Sequence, residues 1–373
     1  MEIGGTDYIM RIALILKPTF QCNVRRCRHC SVGARESKNV SPEEVLFYIN
    51  RFLEFLKRVQ IEVSSIEIIW HGGEPMVMGC DFYLSVSSLL ERKFKKIEFI
   101  HGMQSNLLSY SSKWKDVFSR IFNWRVGTSF DFYTTIRSYS EDTFLRVFTK
   151  FIDDSGAEGH VISMVTKENK DKIEKIVEKS YRYGFYVKFN KVYNAGNASF
   201  GSPDLFIDMS TYIEALIKSI EVASSLGHAV LPYSYFEETV ADPLRKLKCN
   251  FSSYCFESIF HIDPYGNLYK CAVYSDLGFA PYGNLVKDNL DTIVKNFLFH
   301  KIKVYASIPV ECKNCNLFFI CGGGCIAFRE HLGDVSLKSP YCEVTKKLFS
   351  LAEFNSKFSY KNKKSIMEKT WMD

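Results

Sequence analysis

No apolar run in this 373-residue chain approaches the ~18–20 residues that a helix needs to cross a bilayer. A helical membrane span is therefore not expected. The opening residues, MEIGGTDYIM, lack the basic-then-apolar plan of a secretory signal. The reading is a cytoplasmic protein, in a compartment that keeps thiols reduced. There is no internal repeat and no long low-complexity linker. Neither sign of charge dominates: 48 Lys and Arg against 42 Asp and Glu leave a formal net charge of +6. That excess could suit an acidic peptide, but an ordinary solvated surface accounts for it. Neither a membrane nor a nucleic acid is expected as a partner.

What the chain has in quantity is cysteine. Twelve are present, and eleven fall into two groups. The first is Cys22-x4-Cys27-x2-Cys30. The second comprises Cys249, Cys255, Cys271, Cys312, Cys315, Cys321, Cys325 and Cys342, leaving only Cys80 over. In a reduced compartment such density points to metal or catalysis before disulfides. Three thiolates leave one iron of a 4Fe–4S cube without a protein ligand, and eight fill two further cubes. The arithmetic predicts three 4Fe–4S clusters, one open and two closed. Zinc remains an alternative for each group, since Cys-x2-Cys and Cys-x3-Cys also suit tetrahedral zinc. Cys80 reads as a small buried or helix-starting residue.

Strand and helix signals alternate from residue 9 to about 227. Strand-like runs cover residues 9–17, 66–70, 97–103, 126–131, 160–165 and 186–192, with helical stretches between them. Ser41 is placed to cap the first helix, Pro42 suits its first position, and Glu44 completes a capping box. Val45, Ile49, Phe52 and Phe55 share one face. Six βα units in series imply a parallel sheet or an incomplete barrel. The fold class is therefore α/β, a partial (β/α)6 barrel. After about 228 the strand runs are short, turns are frequent and cysteines dense. That pattern describes a small C-terminal domain organised around two iron–sulfur clusters. The expected divisions are 1–227, 228–342 and 343–373. The last begins as a helix over about 343–368, with Leu348, Leu351, Phe354 and Phe358 on one side and seven lysines between Lys346 and Lys369.

A three-cysteine loop directly after a strand, in a βα-repeat chain, resembles the radical S-adenosylmethionine (SAM) superfamily. Its usual spacing is Cys-x3-Cys-x2-Cys; here the first interval is one residue longer. His71-Gly72-Gly73-Glu74-Pro75 after the second strand looks like the superfamily's Gly-Gly-Glu-Pro motif, whose backbone and acid meet the SAM amino group. Gln104-Ser105-Asn106 ends the third strand, where relatives carry Gln-Thr-Asn-Gly; Leu107 replaces the glycine. Ser129 ends the fourth strand, and Arg137 follows. In similar enzymes a serine and an arginine here grip the SAM carboxylate. His29, beside the third cysteine, stands where relatives place an aromatic residue whose backbone meets the adenine. A packing role suits it better than acid–base work. Polar groups at the carboxyl ends of parallel strands are where barrels place active sites.

The spacing Cys255-x10-Gly266-x4-Cys271, then Cys312-x2-Cys315-x5-Cys321-x3-Cys325-x16-Cys342, resembles the seven-cysteine SPASM extension of peptide- and protein-maturing enzymes. Cys249 matches an extra cysteine of anaerobic sulfatase-maturing enzymes. Carried over by position, auxiliary cluster I uses Cys249, Cys255, Cys271 and Cys325. Cluster II uses Cys312, Cys315, Cys321 and Cys342.

The resemblance covers about residues 9–342. It implies reductive SAM cleavage, hydrogen abstraction from a side chain of a precursor peptide, and an external electron donor such as flavodoxin or ferredoxin. In sulfatase-maturing relatives an aspartate, the presumed base, follows the cysteine matching Cys271. Here the residue is Ala272, which cannot take a proton. Oxidative cross-linking of a ribosomal peptide is therefore the expected chemistry, with formylglycine formation or epimerisation as alternatives. An iron–sulfur or zinc scaffold that binds a partner and does no chemistry is the non-enzymatic alternative. No catalytic base is assigned. Fewer than a dozen residues precede the first strand, so recognition is expected from the barrel mouth, the cysteine-rich region, the last helix or another protein. Tyr233, Tyr235, Glu237, Glu238 and Asp242 could face the substrate, although a surface loop is the plainer reading.

Overall fold

The computed structural model describes residues 10–24, 27–33, 36, 38–200, 203–242 and 244–358. Six strand–helix pairs come first: β1 (Met10–Leu16), α1 (Pro42–Arg58), β2 (Val63–Trp70), α2 (Cys80–Lys93), β3 (Glu98–Ser105), α3 (Ser112–Arg120), β4 (Val126–Ser129), α4 (Glu141–Ser155), β5 (Gly159–Val165), α5 (Ile173–Arg182), β6 (Phe185–Lys191) and α6 (Met209–Ser225). Then follow β7 (Val230–Leu231), α7 (Tyr233–Ala241), β8 (Ile259–Ile262), β9 (Asn267–Tyr269), α8 (Ala272–Asp276), β10 (Gly283–Asn284), α9 (Leu290–Ala306), α10 (Phe318–Cys321), α11 (Ile326–His331) and α12 (Cys342–Phe358). The chain forms two compact units, neither of them continuous. One holds residues 1–25, 31–126 and 256–303; the other holds 26–30, 127–255 and 304–373.

In the first unit the strand order is β10-β9-β8-β1-β2-β3. β1 lies parallel to both β2 and β8, with Leu14 beside Ile68 on one side and Phe260 on the other. Ile12, Leu14 and Leu16 are fully buried, as befits a central strand of a parallel array. α1 begins as its sequence indicates. The Ser41 hydroxyl accepts the Glu44 N–H, and the Glu44 carboxylate accepts the Ser41 N–H. Val45, Ile49, Phe52 and Phe55 are all buried. Phe55 meets Phe260 and Phe297 edge-on, at ring-centroid distances of 5.9 and 5.4 Å.

In the second unit the order is β4-β5-β6-β7, all parallel. Alternation along β5 buries Val161, Ser163 and Val165 and leaves Ile162 and Met164 half-buried. An aromatic column fills the helix side: Phe130 stacks on Phe144 at 4.7 Å, Phe144 on Phe148 at 5.2 Å, and Phe148 meets Phe185 at 5.4 Å. α12 packs on α7, where the Asn355 amide donates to the Tyr233 hydroxyl at 2.7 Å.

Three local expectations change. The chain after 228 is more regular than its short runs suggest: β8 joins β1, and α9 is a 17-residue helix. Residues 233–241 form α7, not a surface loop, with Tyr233, Tyr235 and Glu238 buried. On α12 the buried stripe is Val344, Leu348 and Ala352, at four-residue steps, while Phe354 is exposed. The Phe358 side chain, Ile9 and residues 359–368 of the expected helix lie outside the described residues.

Candidate functional site

The turn after β2 is built by backbone pairing that requires glycine. The Gly73 N–H donates to Thr19 O at 3.1 Å, and the Glu74 N–H to Gln21 O at 2.8 Å. The turn thus runs beside the segment leading to Cys22. Gly72 has φ +120°, and a Cβ on Gly73 would lie 2.0 Å from Gln21 O, so a side chain has no room. The Glu74 carboxylate is buried and accepts from Met76 N (3.0 Å), Ser105 Oγ (2.7 Å) and Asn106 N (2.8 Å). Burial raises its pKa, opposed by those hydrogen bonds. The carboxylate is thereby tied to the protein. Asn106 donates to Asn23 Oδ1 at 2.7 Å, next to Cys22. The Gln104 Nε2 group is buried with no hydrogen-bond partner among the described residues, an orphan donor that fits a bound ligand. Cys22 itself is exposed.

Cys27 and Cys30 belong to the second unit, where the backbone between them is clamped. The Arg28 N–H donates to Ile136 O at 2.8 Å, and the Asn197 N–H to Cys30 O at 2.8 Å. The Asn197 side chain donates to Cys27 O at 3.1 Å. The Arg28 guanidinium grips both oxygens of Asp204, at 2.9 and 2.7 Å, and Glu168 at 3.1 Å. Burial raises the pKa of the Cys27 thiol, and Arg137 opposes that. Arg137 donates through Nε to the buried Asp131 at 2.6 Å and faces Tyr139 and His29 at 3.3 and 3.4 Å. Two of its five N–H groups stay available among these contacts. Burial lowers the His29 pKa to about 4, so its ring is neutral. Its Nε2 faces both the Arg137 guanidinium and the Asp131 carboxylate, each at 3.4 Å, and its Nδ1 is buried without a hydrogen-bond partner among the described residues. Ser129 is half-buried at the end of β4, and its carbonyl accepts the Tyr139 hydroxyl at 3.5 Å.

The C-terminal cysteines divide into groups. Cys312, Cys315, Cys321 and Cys342 line one cavity, together with Gly323 and Gly324. Burial raises the Cys312 thiol to about 11, and Cys321, Cys342 and Cys315 add to the rise. Burial also raises Cys321, and the backbone N–H groups of Gly323 and Gly324 oppose it; the Gly324 N–H donates to Cys321 O at 2.9 Å. Those glycines have φ +88° and +79°, a backbone conformation that glycine adopts freely. Four crowded thiols of this kind resist ionising until a cation joins them, and the set fits a 4Fe–4S cube or zinc. Cys325 is not among the residues lining that cavity. With Cys249 it flanks the buried Tyr341, whose pKa is raised by burial and then by both sulfurs. Cys255 lies in the same unit, whereas Cys271 caps α8 in the first unit. Among the described residues no three His, Cys, Asp or Glu side chains are already drawn together as metal ligands. Cys80 is the first residue of α2, and its thiol donates to Lys113 O at 3.4 Å.

One cluster escaped the sequence reading. Lys17, fully buried at the carboxyl end of β1, donates to Asp276 Oδ1 at 2.6 Å. The Ser31 hydroxyl donates to Asp276 Oδ2 at 2.8 Å. Burial opposes ionisation of Asp276, but Lys17 and Ser31 outweigh it and hold the pKa at about 2. His261, fully buried in β8, has its pKa lowered by burial and then by Lys17. The signal available was a lysine directly after an apolar strand.

No protein-family profile matches the chain. It is 22% identical over 363 residues to a cysteine-type anaerobic sulfatase-maturating enzyme of Clostridium novyi, covering 91% of this chain and 94% of that one. A cysteine-type anaerobic sulfatase-maturating enzyme of Clostridium perfringens is 22% identical over 368 residues, covering 91% and 96%. Among solved structures, native anSMEcpe with bound AdoMet (SAM) superposes with TM-score 0.72 at 19% identity, covering 92% of this chain and 97% of that one. Streptococcus suis SuiB bound to precursor peptide SuiA gives 0.61 at 15% identity, covering 88% and 75%. The chain therefore resembles radical SAM maturases over nine-tenths of its length and has their α/β partial-barrel fold. Among the described residues no helix is long and apolar enough to cross a membrane.

Proposed function

We propose that the chain is a radical SAM peptide maturase that oxidises a side chain of a ribosomally made peptide, with a cross-link as the product. The observation that carries this reading is the cavity lined by Cys312, Cys315, Cys321 and Cys342, in a chain with the maturase fold. Cys22, Cys27 and Cys30 would hold the open 4Fe–4S cluster. Cys249, Cys255, Cys271 and Cys325 would hold one auxiliary cluster, and the cavity cysteines the other. The auxiliary region would span about 228–342, after a SAM-binding region over 1–227. When bound, these groups supply a radical that removes a hydrogen atom and an acceptor for the electron left on the substrate.

The protein's own part is to bind, orient and exclude water. The backbone of Gly72 and Gly73 and the orphan amide of Gln104 suit the polar end of SAM. Ser129 and the uncommitted N–H groups of Arg137 suit its carboxylate, and the backbone at His29 its adenine. Asn106 holds the adjoining loops together. An external flavodoxin or ferredoxin would deliver electrons.

A second reading, formylglycine formation, is favoured by the likeness to sulfatase-maturating enzymes. Ala272 at the start of α8 weighs against it, because it offers no base beside Cys271. The test is reductive: anaerobically reconstituted protein given SAM and dithionite should release 5′-deoxyadenosine and carry about twelve irons. Cys30→Ala should abolish the release. Stoichiometric zinc with little iron, or full cleavage by the Cys30 variant, would refute the reading. A peptide product about 2 Da lighter per event that carries no aldehyde marks a cross-link; an aldehyde from a Cys or Ser peptide marks the second reading.

A further inference from the structure

Lys188 lies in the middle of β6 and is half-buried. Strand register puts it in one row with Ser129 of β4, Ile162 of β5 and Leu231 of β7. Registered neighbours in a sheet project from the same face, and the next residues from the other. The other face carries Thr128, Val161, Val187 and Val230. It is the face that the helices cover, since Phe148 of α4 meets Phe185 of β6. Lys188 therefore projects from the opposite, half-open side, between the apolar side chains of Ile162 and Leu231.

No carboxylate pairs with its ammonium among the described residues. Other lysines of this unit are paired: Lys179 with Glu141, and Lys218 with Glu174. What Lys188 meets is the ring of the buried Tyr235, 5.3 Å from its Nζ. A second cation, Lys248, lies 5.3 Å from the same ring. The nearby carboxylate of α7, Glu238, is engaged by Arg245 at 2.8 Å and by Lys248 at 3.9 Å. The ammonium of this half-buried residue has a cation–π contact and no paired carboxylate among the described residues. The surplus is one positive charge facing the open side of the sheet.

We infer that Lys188 is a substrate-binding residue whose ammonium takes a carboxylate of the peptide, an Asp or Glu side chain. The inference rests on the maturase reading and adds the substrate's charge to it. SAM also carries a carboxylate. Ser129, the residue suited to that group, stands two strands from Lys188, about 10 Å at the spacing of a sheet. The peptide is therefore the assigned source.

The test is selection of random displayed peptides on anaerobically reconstituted protein with SAM present. With the native sequence, one position should become enriched in Asp or Glu. Lys188→Gln should lose that preference, Lys188→Arg should keep it, and Lys188→Glu should turn it toward Lys or Arg. A peptide from the native selection should bind the Gln variant about ten- to a hundredfold more weakly, the loss of one charge-assisted hydrogen bond. SAM affinity by equilibrium dialysis should be unchanged. An acidic preference that survives Lys188→Gln, or selections without one, would overturn the inference. So would weaker SAM binding in the Gln variant with unaltered peptide selection, which assigns the ammonium to SAM. If the preference depends on Lys188 but the protein cleaves no SAM, the carboxylate site stands and the maturase reading falls.

Discussion

The Glu74 carboxylate accepts the Asn106 N–H at 2.8 Å and so fastens the turn after β2 to the end of β3. Asn106 passes the restraint on to Asn23, beside Cys22, through a 2.7 Å hydrogen bond. Glu74→Gln puts an NH2 group where an oxygen now accepts. One buried donor is then left facing other donors, at a cost of about 1–3 kcal/mol. The expected result is a lower urea midpoint and faster amide exchange at Asn106. Unchanged exchange there would show that the carboxylate is no strut.

Leu107 gives a sharper test, because it departs from the motif in residue but not in shape. It stands at φ +60°, the conformation that a glycine adopts freely and that costs other residues about 1–2 kcal/mol. Its side chain is fully buried, and burying a leucine contributes about 2–5 kcal/mol relative to alanine. Burial therefore outweighs strain, which is why leucine can occupy a glycine position. Leu107→Ala loses the burial and keeps the strain; Leu107→Gly loses both. The glycine variant should be the more stable of the two by about 1 kcal/mol, the reverse of their usual order. Chemical denaturation of the pair decides it.

Local signals carried most of the barrel. The capping residues Ser41 and Glu44 and the alternation along β5 are readable within a few residues, so β1–α6 follow from the sequence. What escaped depends on distant partners. β8 is a strand because Ile259–Ile262 lies against residues 13–16, and nothing in its four residues announces that. Residues 233–241 read as a loop because Tyr233, Tyr235 and Phe236 are buried together, which leaves no polar face to mark a helix. Lys17 and Asp276 are 259 residues apart, so their pairing has no sequence trace. The cysteines were legible by count. Their division was legible only through the resemblance, because Cys321 and Cys325 stand close in the chain yet have different surroundings.

His101 gives a pH prediction. Burial lowers its pKa from 6.5 to about 4, and its Nδ1 accepts the Trp70 indole N–H at 3.1 Å. The fold thus favours the neutral ring, while the unfolded chain takes up a proton below 6.5. Stability from this group is fully present above pH 6.5 and is lost as pH falls toward about 4, at about 1.4 kcal/mol per pH unit. His101→Asn keeps an acceptor for Trp70 and removes the titration. It should be less stable at pH 7 through lost packing, yet its stability should fall less steeply over that interval. An unaltered slope in urea titrations would show that His101 does not titrate with folding.

The separation of Cys325 from the cavity cysteines makes a prediction in whole clusters. Cys312, Cys315, Cys321 and Cys342 share one cavity, and Cys325 faces Tyr341 with Cys249 instead. If Cys325 serves the cluster of Cys249, removing either thiol disables the same cube. Cys249→Ala and Cys325→Ala should each lose about four irons, and the double variant should lose about four as well. Cys325→Ala combined with Cys342→Ala should lose about eight, because two cubes are broken. Iron analysis of anaerobically reconstituted variants separates this pairing from its alternative. In that alternative Cys325 belongs with its sequence neighbour Cys321, and the Cys325–Cys342 double variant loses only about four irons while the Cys249–Cys325 double loses about eight. The pattern of losses reads cluster membership directly, because two variants in one cube do not add and two in different cubes do.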